Sequence, residues 1–591
     1  MKKLLFFALV LTNFSFSQTL NYQRNWATYL GDERFWFKDS KADKAGNIYI
    51  VGSVYSISGV APNFTTAGCY QSTFAGGDLD GFIIKMNNQG AIVWATYFGG
   101  EGVDSISAIT FDNNNNICIA GSTNSITGIT SANSYQTNNN GEFDFMFAKF
   151  SSSGSLLWST YYGSTLDDGE LTGNVYGANG GNNFIHIKCD NINNIYIIGH
   201  SNNEDLGTTG VFQQQNNGAY YLLTKFSSDG QRIWTTYYGI YSNYLNSLSV
   251  SNSGIFLGGR TGAECNPNVN LYNTYYGTAG SYQPLPASCL ETYISKFDFN
   301  GQRLWSTYYG TNSADNRYSN SLETYQNKIY STGWYNLSNL STSGVFQENT
   351  INSMLLAQFN ENGTRDWASY NGFAPLQNTY FSDISNLSVN NQGVVFLSGV
   401  TNKTENIATA NGFKTNLTGD YDGFVSVFNN TGQKLWGTYY GGTLTDDYLM
   451  CSPSENNFFI VGFTNSTQDI ASANGLQPQY TIYAPNDFNY PKSNMFVAYF
   501  EEVPLATTNF NSSSFSIYPN PNNGTFTISI NKDNFETVAL EVYDVLGKKI
   551  LNQDLIAKET SIKTDNLSKG VYFAKITTSD NEVFTKKIVV E

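Results

Sequence analysis

The chain has 591 residues and a formal net charge of -16 at pH 7, with 40% hydrophobic, 15% aromatic and only 13% charged residues. Its length is several times that of a usual domain, so we expect several domains or one large repetitive domain. This composition excludes a disordered chain, and the acidic charge argues against binding to nucleic acid or anionic lipid. Tyr and Phe, at 41 residues each, favour strands, so the composition predicts an all-β protein.

The first residues have the pattern of a secretory signal peptide. Lys2 and Lys3 precede the apolar run LLFFALVL, and a polar stretch with small residues follows. This run is too short for an ordinary membrane helix, and no later apolar run is long enough to be one. We therefore interpret residues 1–17 as a signal peptide and expect a mature chain without a transmembrane segment, outside the cytoplasm.

A heptapeptide recurs along the next 480 residues. The sequence LWSTYYG stands at 157–163 and again at 304–310, with near copies elsewhere. Each copy contains a Trp-x-Ser/Thr-Tyr element, and the spacings between successive tryptophans are 68, 64, 76, 71, 62 and 69 residues. The tryptophans of this repeat are Trp26, Trp94, Trp158, Trp234, Trp305, Trp367 and Trp436.

Each repeat contains four β patterns. An apolar run and a tight turn precede the Trp strand, and two further strands separated by Asn, Asp or Gly follow it. About seven units of four short strands predict a seven-bladed β-propeller over residues 18–502. By likeness to other propellers, we expect the strand after the Trp strand, such as ISAITFD, to be innermost in its blade and the heptapeptide strand to be outermost.

The two ends of the repeat region complement each other. The first heptapeptide, NWATYLG at 25–31, has no preceding partner strand, and NMFVAYFEE at 494–502 has no Trp strand after it. Pairing these strands would complete a blade and remove an exposed sheet edge. The sequence therefore predicts closure of the ring by its terminal strands.

The repeats also resemble the SBBP family of bacterial β-propeller repeats. DLDGFIIKMNNQGAIVWATYFGG and DNINNIYIIGHSNN match its signature well, whereas GIYSNYLNSLSVSNSGIFLGGR is a looser match. The resemblance covers roughly residues 21–501 and implies a propeller fold.

A different pattern begins after Glu502. Residues 503–512 form a polar linker, and 513–591 contain short strands with Asn, Gly and Pro turns, which predicts a small C-terminal β-sandwich. The segments YPNPNNGTFTI, VYDVLGKKI and LSKGVYFAKI resemble the type A C-terminal sorting domain of the type IX secretion system of Bacteroidetes. This resemblance implies that residues 513–591 bind the secretion machinery and that the protein reaches the cell surface or the medium.

Six cysteines are too few for a disulfide scaffold in a chain of this length. Cys118, Cys189 and Cys451 lie in apolar strand patterns and are interpreted as small buried hydrophobic residues. Cys265 and Cys289 bracket one Gly/Asn/Tyr-rich loop, and we consider a disulfide between them. Cys69 has no evident partner.

The sequence shows no recognisable catalytic constellation. Only His186 and His200 could serve as neutral-pH acid–base groups, and both lie in strand patterns where a structural role is favoured. No HExxH, GxSxG, P-loop or CxxC motif occurs. We therefore predict that the protein is not an enzyme and needs no cofactor.

Four aspartates follow the heptapeptide in corresponding loops: Asp104, Asp168, Asp315 and Asp446. If the predicted strand order holds, they surround one mouth of the propeller channel. They could then form a Ca²⁺ or polar-ligand site, or they could simply cap strands in solvated loops, which is the interpretation we favour. Two of the repeats lack such an aspartate.

Three classes of function fit these observations. The first and favoured class is a secreted or surface-displayed binding or adhesion propeller, monomeric, with a polysaccharide or a surface protein as ligand. The second is a propeller-type glycan-degrading enzyme, and the third is a surface structural protein. Measuring turnover and saturable binding would separate them.

Overall fold

In the computed structural model, the described part of the chain folds into two compact units, residues 1–502 and 503–591. The structure describes residues 20–57, 59–169, 185–203, 205–239, 244–261, 275–287, 291–310, 321–335, 339–350, 353–372, 386–482, 493–503, 515–530, 538–545, 547–564, 567–577 and 583–591. The predicted signal peptide, most of the predicted linker, Asp315, Cys265 and Cys289 lie outside these ranges. All the regular elements in the described ranges are strands, as the composition predicted.

The first unit contains seven four-stranded antiparallel sheets, numbered here in chain order. Sheet 1 contains β2 (Phe35–Ala42), β3 (Ile48–Tyr55), β4 (Leu79–Met86) and β5 (Ile92–Phe98). Sheet 2 contains β6 (Asp104–Phe111), β7 (Ile117–Thr123), β8 (Asp144–Phe150) and β9 (Leu156–Tyr162). Sheet 3 contains β10 (His186–Cys189), β11 (Ile195–His200), β12 (Tyr221–Phe226) and β13 (Arg232–Tyr237).

The remaining sheets repeat this pattern. Sheet 4 contains β14 (Tyr244–Ser251), β15 (Gly254–Arg260), β16 (Thr292–Phe297) and β17 (Arg303–Tyr309). Sheet 5 contains β18 (Ser321–Tyr325), β19 (Lys328–Tyr335), β20 (Ser353–Asn360) and β21 (Arg365–Asn371). Sheet 6 contains β22 (Asn386–Val389), β23 (Val395–Thr401), β24 (Asp422–Phe428) and β25 (Lys434–Tyr440). Sheet 7 contains β26 (Asp446–Ser454), β27 (Asn457–Thr464), β28 (Asn494–Glu502) and β1 (Tyr22–Leu30).

The first strand of each sheet forms one edge and the Trp strand forms the other. First strands of consecutive sheets contact one another from β2 through β26, and β26 in turn contacts β2. These contacts agree with the inner and outer positions that the repeat predicted for the two edge strands.

The chain ends meet in sheet 7. Strand β1 pairs antiparallel with β28, with Ala27 opposite Ala498 and Leu30 opposite Met495. This pairing confirms the prediction that the first Trp strand and the last strand of the repeat region are partners, and it covers the edge that β28 would otherwise expose.

Apolar side chains of neighbouring sheets share hydrophobic clusters. In one cluster, Tyr49 and Ile83 of sheet 1 pack with Ile106, Ile119 and Met146 of sheet 2, all at most 1% exposed. Both faces of these strands are buried, which explains why their sequences are nearly continuous apolar runs.

The second unit has two sheets that share one hydrophobic core. This arrangement is that of a β-sandwich. The three-stranded sheet contains β29 (Phe515–Tyr518), β30 (Thr525–Ile530) and β33 (Glu559–Lys563). The four-stranded sheet contains β31 (Val538–Asp544), β32 (Lys549–Leu555), β34 (Gly570–Thr577) and β35 (Val583–Val590).

Candidate functional site

Three of the four predicted aspartates are described, and all three are buried. Asp104 begins β6, Asp446 begins β26, and Asp168 forms an isolated bridge with Ser201, the residue that follows β11 of sheet 3. Their exposures are 0%, 1% and 0% respectively. They therefore lie inside the protein at the entry to a sheet, and not on solvated loops.

Each of these carboxylates is held by groups of its own sheet. Asp104 accepts hydrogen bonds from the Gly100 N–H at 2.8 Å, the Ser125 hydroxyl at 2.8 Å and the Thr123 hydroxyl. Asp446 accepts the equivalent bonds from Gly442 at 2.7 Å, Ser466 at 3.3 Å and Thr464. The aspartate thus fixes the turn that leads from one sheet into the next.

Each aspartate also faces a second carboxylate from the third strand of the preceding sheet. Asp80 Oδ1 and Asp104 Oδ2 lie 2.5 and 2.9 Å from the point that a Cβ on Gly99 would occupy. Asp422 Oδ1 and Asp446 Oδ2 lie 2.7 and 2.5 Å from the same point on Gly441. The last residue of the heptapeptide is glycine because any side chain there would displace one of these carboxylates. Asp144 and Asp168 surround Gly163 in the same way.

A glutamine that the sequence analysis did not single out also belongs to this arrangement. Gln136 donates to Asp144 at 2.7 Å and accepts from the Gly163 N–H at 3.0 Å. Gln71 and Gln283 occupy equivalent positions beside Asp80 and Glu291. The signal was present in the sequence, because a Gln recurs eight or nine residues before the third-strand carboxylate.

Burial makes several of these carboxyl groups hold their protons at unusually high pH. Desolvation, together with the nearby Asp104, raises the pKa of Asp80 to about 8. Desolvation likewise raises the pKa of Asp446 to about 7 and that of Asp168 to about 6. These shifts follow from placing two acidic groups together where water cannot solvate them.

The described ranges contain no group of three or more His, Cys, Asp or Glu side chains placed to hold a metal ion. Asp104, Asp168 and Asp446 each belong to a different sheet junction, and each is bonded to its own loop. The structure therefore gathers them in pairs with other carboxylates, and it does not bring them together as one calcium site.

A second group of ionisable side chains lies where the first strands of three non-neighbouring sheets meet. Glu323 of sheet 5 contacts Lys188 of sheet 3 at 2.5 Å and Lys41 of sheet 1 at 3.8 Å. Asp39 and His186 interact electrostatically with these side chains. We call these five residues the central cluster.

The central cluster remains in contact with water. The side chains of Lys41, Glu323 and Lys188 are 28%, 18% and 20% exposed. Asp39 accepts hydrogen bonds from the backbone N–H groups of Ile109 at 3.0 Å and Ser40 at 2.8 Å. The cluster therefore presents fixed charges of both signs to solvent.

Mutual interactions set the ionisation of the cluster. Burial alone would raise the pKa of Glu323, but Lys188 and Lys41 outweigh it and hold that pKa below its usual value. Burial and the two lysines lower the pKa of His186 to about 4, so this histidine is neutral at pH 7. Burial also raises the pKa of Asp39, against the opposing effect of Lys41.

The other predicted residues have structural surroundings. His200 is 7% exposed, and its ring stacks on Tyr220 with centroids 5.6 Å apart. Cys118 and Cys451 are buried, and the described cysteines, Cys69, Cys118, Cys189 and Cys451, are free thiols.

Two family models match parts of the chain. The secretion system C-terminal sorting domain matches residues 516–591, and the β-propeller repeat named SBBP matches residues 93–127, from the Trp strand of sheet 1 into sheet 2. Among curated proteins, the chain is similar to ulvan lyase NLR42 of Nonlabens ulvanivorans, with 31% identity over 93 residues, which are 15% of this chain and 17% of the relative. It is also similar to an endo-acting ulvan lyase of Formosa agariphila, with 34% identity over 80 residues, which are 13% of this chain and 15% of the relative.

These curated relatives are matched over about one-sixth of their length. Among solved structures, the endosialidase of phage phi92 aligns over 97% of this chain and 87% of its own, with 9% identity and a TM-score of 0.34. The described residues contain no helix that could span a membrane. The chain thus carries β-propeller repeats and ends in a type IX secretion sorting domain, which indicates secretion to the cell surface or the extracellular space.

Proposed function

We propose that residues 18–502 form a seven-bladed β-propeller that acts outside the cell as a binding module for a polysaccharide. In this proposal the signal peptide directs the first export step, and residues 513–591 engage the type IX machinery for the second. The propeller then acts as a monomer, either anchored at the surface or released. Seven four-stranded sheets in contact through their first strands support the propeller part of the proposal.

The central cluster is the observation that carries the binding role. It combines two ammonium groups with two carboxyl groups on the rigid first strands of three sheets. A polysaccharide offers many hydroxyl groups, and in acidic polymers carboxylate or sulfate groups, that pair with such charges. Since the strands already fix these side chains, little ordering is needed when the ligand binds.

Turnover is disfavoured because the side chains that could act as an acid or a base are already engaged by other groups of the protein. Glu323 is bridged by two lysines, and Asp39 is bonded to two backbone N–H groups. The only histidine of the cluster has a pKa of about 4, which is low for an acid–base catalyst at neutral pH.

One observation favours the alternative of a glycan-degrading enzyme. Asp39 and Glu323 belong to one cluster, and their surroundings push their pKa values in opposite directions. Such a pair is the pattern of an acid and a base in carbohydrate chemistry. The short match to ulvan lyases adds no support for this activity, because it covers so little of either chain.

The test is a glycan array, with a panel of surface proteins, probed with the secreted protein and with Glu323→Gln. We expect saturable binding to a polysaccharide that weakens at least tenfold in the variant, because the variant loses a carboxylate that accepts hydrogen bonds from sugar hydroxyl groups and the bridge that holds the two lysines in place. Glu361→Gln is the matched control, since Glu361 pairs with Lys296 at 3.6 Å in a turn away from the cluster. Equal binding by wild type and Glu323→Gln would refute the role of the cluster, and release of products from the bound polymer would establish the enzyme instead.

A further inference from the structure

Two free cysteines of neighbouring sheets lie in contact. Cys118 is in β7 of sheet 2, and Cys189 ends β10 of sheet 3. Their sulfur atoms are 3.9 Å apart, which is van der Waals contact, although 71 residues separate them in sequence. The thiols are therefore positioned for a bond between the two sheets.

This position differs from its equivalents elsewhere in the ring. The residue that corresponds to Cys118 in the other second strands is aromatic in every case: Tyr49, Tyr196, Phe256, Tyr330, Phe396 and Phe459. At the junction between sheets 1 and 2, the same contact is made by Tyr49 and Phe111, whose rings lie 5.0 Å apart. Cys118 and Cys189 thus replace both members of an aromatic pair.

Neighbouring hydrogen bonds hold the two sheets together beside the sulfurs. Asn113 donates from its backbone to the Asn193 side chain at 2.9 Å and from its own side chain to the Asp190 carbonyl at 3.1 Å. Asp190 directly follows Cys189, so these bonds limit how far the two thiols can separate. A small change in side-chain torsion, with little backbone movement, would bring the sulfurs to bonding distance.

We propose that Cys118 and Cys189 form a disulfide in the exported protein. The sorting domain indicates that the protein leaves the reducing cytosol, and disulfides form and persist in such compartments. The C-terminal unit carries the export signal and holds neither cysteine, so nothing in its role depends on the bond.

The oxidant in this proposal is a disulfide of the oxidising compartment. The partly exposed Cys189 loses its proton and attacks one sulfur of the oxidant, which forms a mixed disulfide and releases the other sulfur as a thiolate. The thiolate of Cys118 then attacks the Cys189 sulfur and releases the second oxidant sulfur. Two thiols thereby lose two protons and two electrons, and the oxidant disulfide is reduced to two thiols.

The surroundings predict slow oxidation once the protein is folded. The neighbouring Cys118 thiol and burial raise the pKa of Cys189, so few molecules carry the reactive thiolate at neutral pH. Cys118 itself is completely buried. We therefore expect the bond to form mainly while the chain folds, before sheets 2 and 3 close over it.

Peptide mapping of the full-length secreted protein tests the proposal. The protein is denatured in a thiol-alkylating reagent without reductant and then digested. We expect a peptide pair joined through Cys118 and Cys189, lighter than its parts by two hydrogen atoms, whereas Cys451 is alkylated in the same sample. Alkylation of both Cys118 and Cys189 before reduction, or their linkage to any other cysteine, would overturn the proposal.

Variants give an independent measurement. Reduction should lower the melting temperature of the wild type by a few degrees, because the bond closes a long loop in the unfolded chain, as general chain-entropy arguments require. The same reduction should lower the melting temperature of Cys189→Ser by less than that of the wild type, and it should shift Cys451→Ser as much as the wild type. Refolding the reduced wild type with oxidised glutathione should restore the higher melting temperature, and failure to restore it would count against the bond.

Discussion

The indole Nε1–H of Trp26 donates a 2.7 Å hydrogen bond to the backbone carbonyl of Asn88, in the turn before the Trp strand of the next sheet. Five other repeat tryptophans make the same bond to the following sheet, so the heptapeptide acts as a link between sheets. These five indole-to-carbonyl hydrogen bonds join Trp94 to Ser152, Trp158 to Ser228, Trp234 to Phe299, Trp305 to Glu361 and Trp367 to Asn430.

The seventh tryptophan shows why the link depends on the turn. Trp436 precedes sheet 7, whose outer strand is the N-terminal β1, so no turn joins the last two strands of that sheet. Its indole donates to the carbonyl of Asn411 instead, and its ring packs against Tyr22 with centroids 5.1 Å apart. Tyr22 of the first strand thus fills the place that a turn occupies elsewhere.

The first prediction concerns the glycine that lies against the indole of each of the six linking tryptophans. A Cβ on Gly154 would approach the Trp94 ring to 3.0 Å, and the φ of Gly154 is +86°. We expect Gly154→Ala to lower the free energy of unfolding by about 2–4 kcal/mol, through backbone strain and overpacking combined. Denaturant unfolding measures the change.

Gly68→Ala is the matched control for that variant. Gly68 has a similar φ of +77°, but a Cβ there meets no atom within 4 Å. This control should lose only about 1–2 kcal/mol from strain. If both variants lowered the free energy of unfolding equally, the contact between Gly154 and the indole would make no contribution to stability.

The second prediction concerns closure by β1. Deleting residues 21–31 removes the strand that covers β28 and empties part of two hydrophobic clusters that contain Trp26, Ala27 and Tyr29. We expect a lower melting temperature and concentration-dependent association through the exposed edge, measured by light scattering. A deletion variant as stable and as monomeric as the wild type would contradict the closure.

The third prediction concerns the carboxylate pair of Asp80 and Asp104. The pKa of Asp80 is raised to about 8 in the folded protein, and its usual value is 3.8. The folded state therefore keeps a proton that the unfolded chain releases near pH 4. The stability from this group is complete below that pH, falls as the pH rises from about 4 to about 8, and is then constant.

Asp80→Asn should remove this dependence. We expect the stability of the variant to exceed that of the wild type by about 1–3 kcal/mol at pH 8.5 and to equal it near pH 4, since the Asp80 carboxyl group of the folded wild type is then protonated and neutral. Asn494 is a natural example of asparagine at this strand position, in sheet 7. Thermal unfolding across the pH range gives the comparison.

Asp422→Asn is the control for the pH experiment. Asp422 occupies the same position in sheet 6, but Lys414 replaces the glutamine and contacts it at 3.2 Å. Removing that carboxylate leaves Lys414 without its ion-pair partner, so the variant should be less stable than the wild type at pH 8.5. A gain in stability for both variants would show that the local cation is irrelevant.

The repeat could be predicted from sequence because each unit needs the same contacts. Trp94 and its glycine partner recur in every ordinary sheet, and the pairing of β1 with β28 followed from the missing strand at each end. The central cluster could not be predicted in this way. Lys41, Lys188 and Glu323 are far apart in sequence, and the inner strand positions that hold them carry different residues in other repeats. Only the packing of the first strands of the sheets brings these side chains together.

The fourth prediction concerns the C-terminal unit. Its two sheets bury their own core, which includes Phe526, Leu540 and Ile576, and residues 503–591 form a compact unit of their own. Removing residues 513–591 should therefore leave the first unit folded, with the same melting temperature and the same ligand binding, but retained in the periplasm. The physical reason is that the first unit has seven complete sheets without the sorting domain.

Fractionation of cells that express the truncated and full-length chains measures the location, and fusing 513–591 to an unrelated exported protein supplies the converse test. A truncated chain that still reached the medium would show that these residues are not the export signal, and a truncated chain that unfolded would show that the two units are not independent.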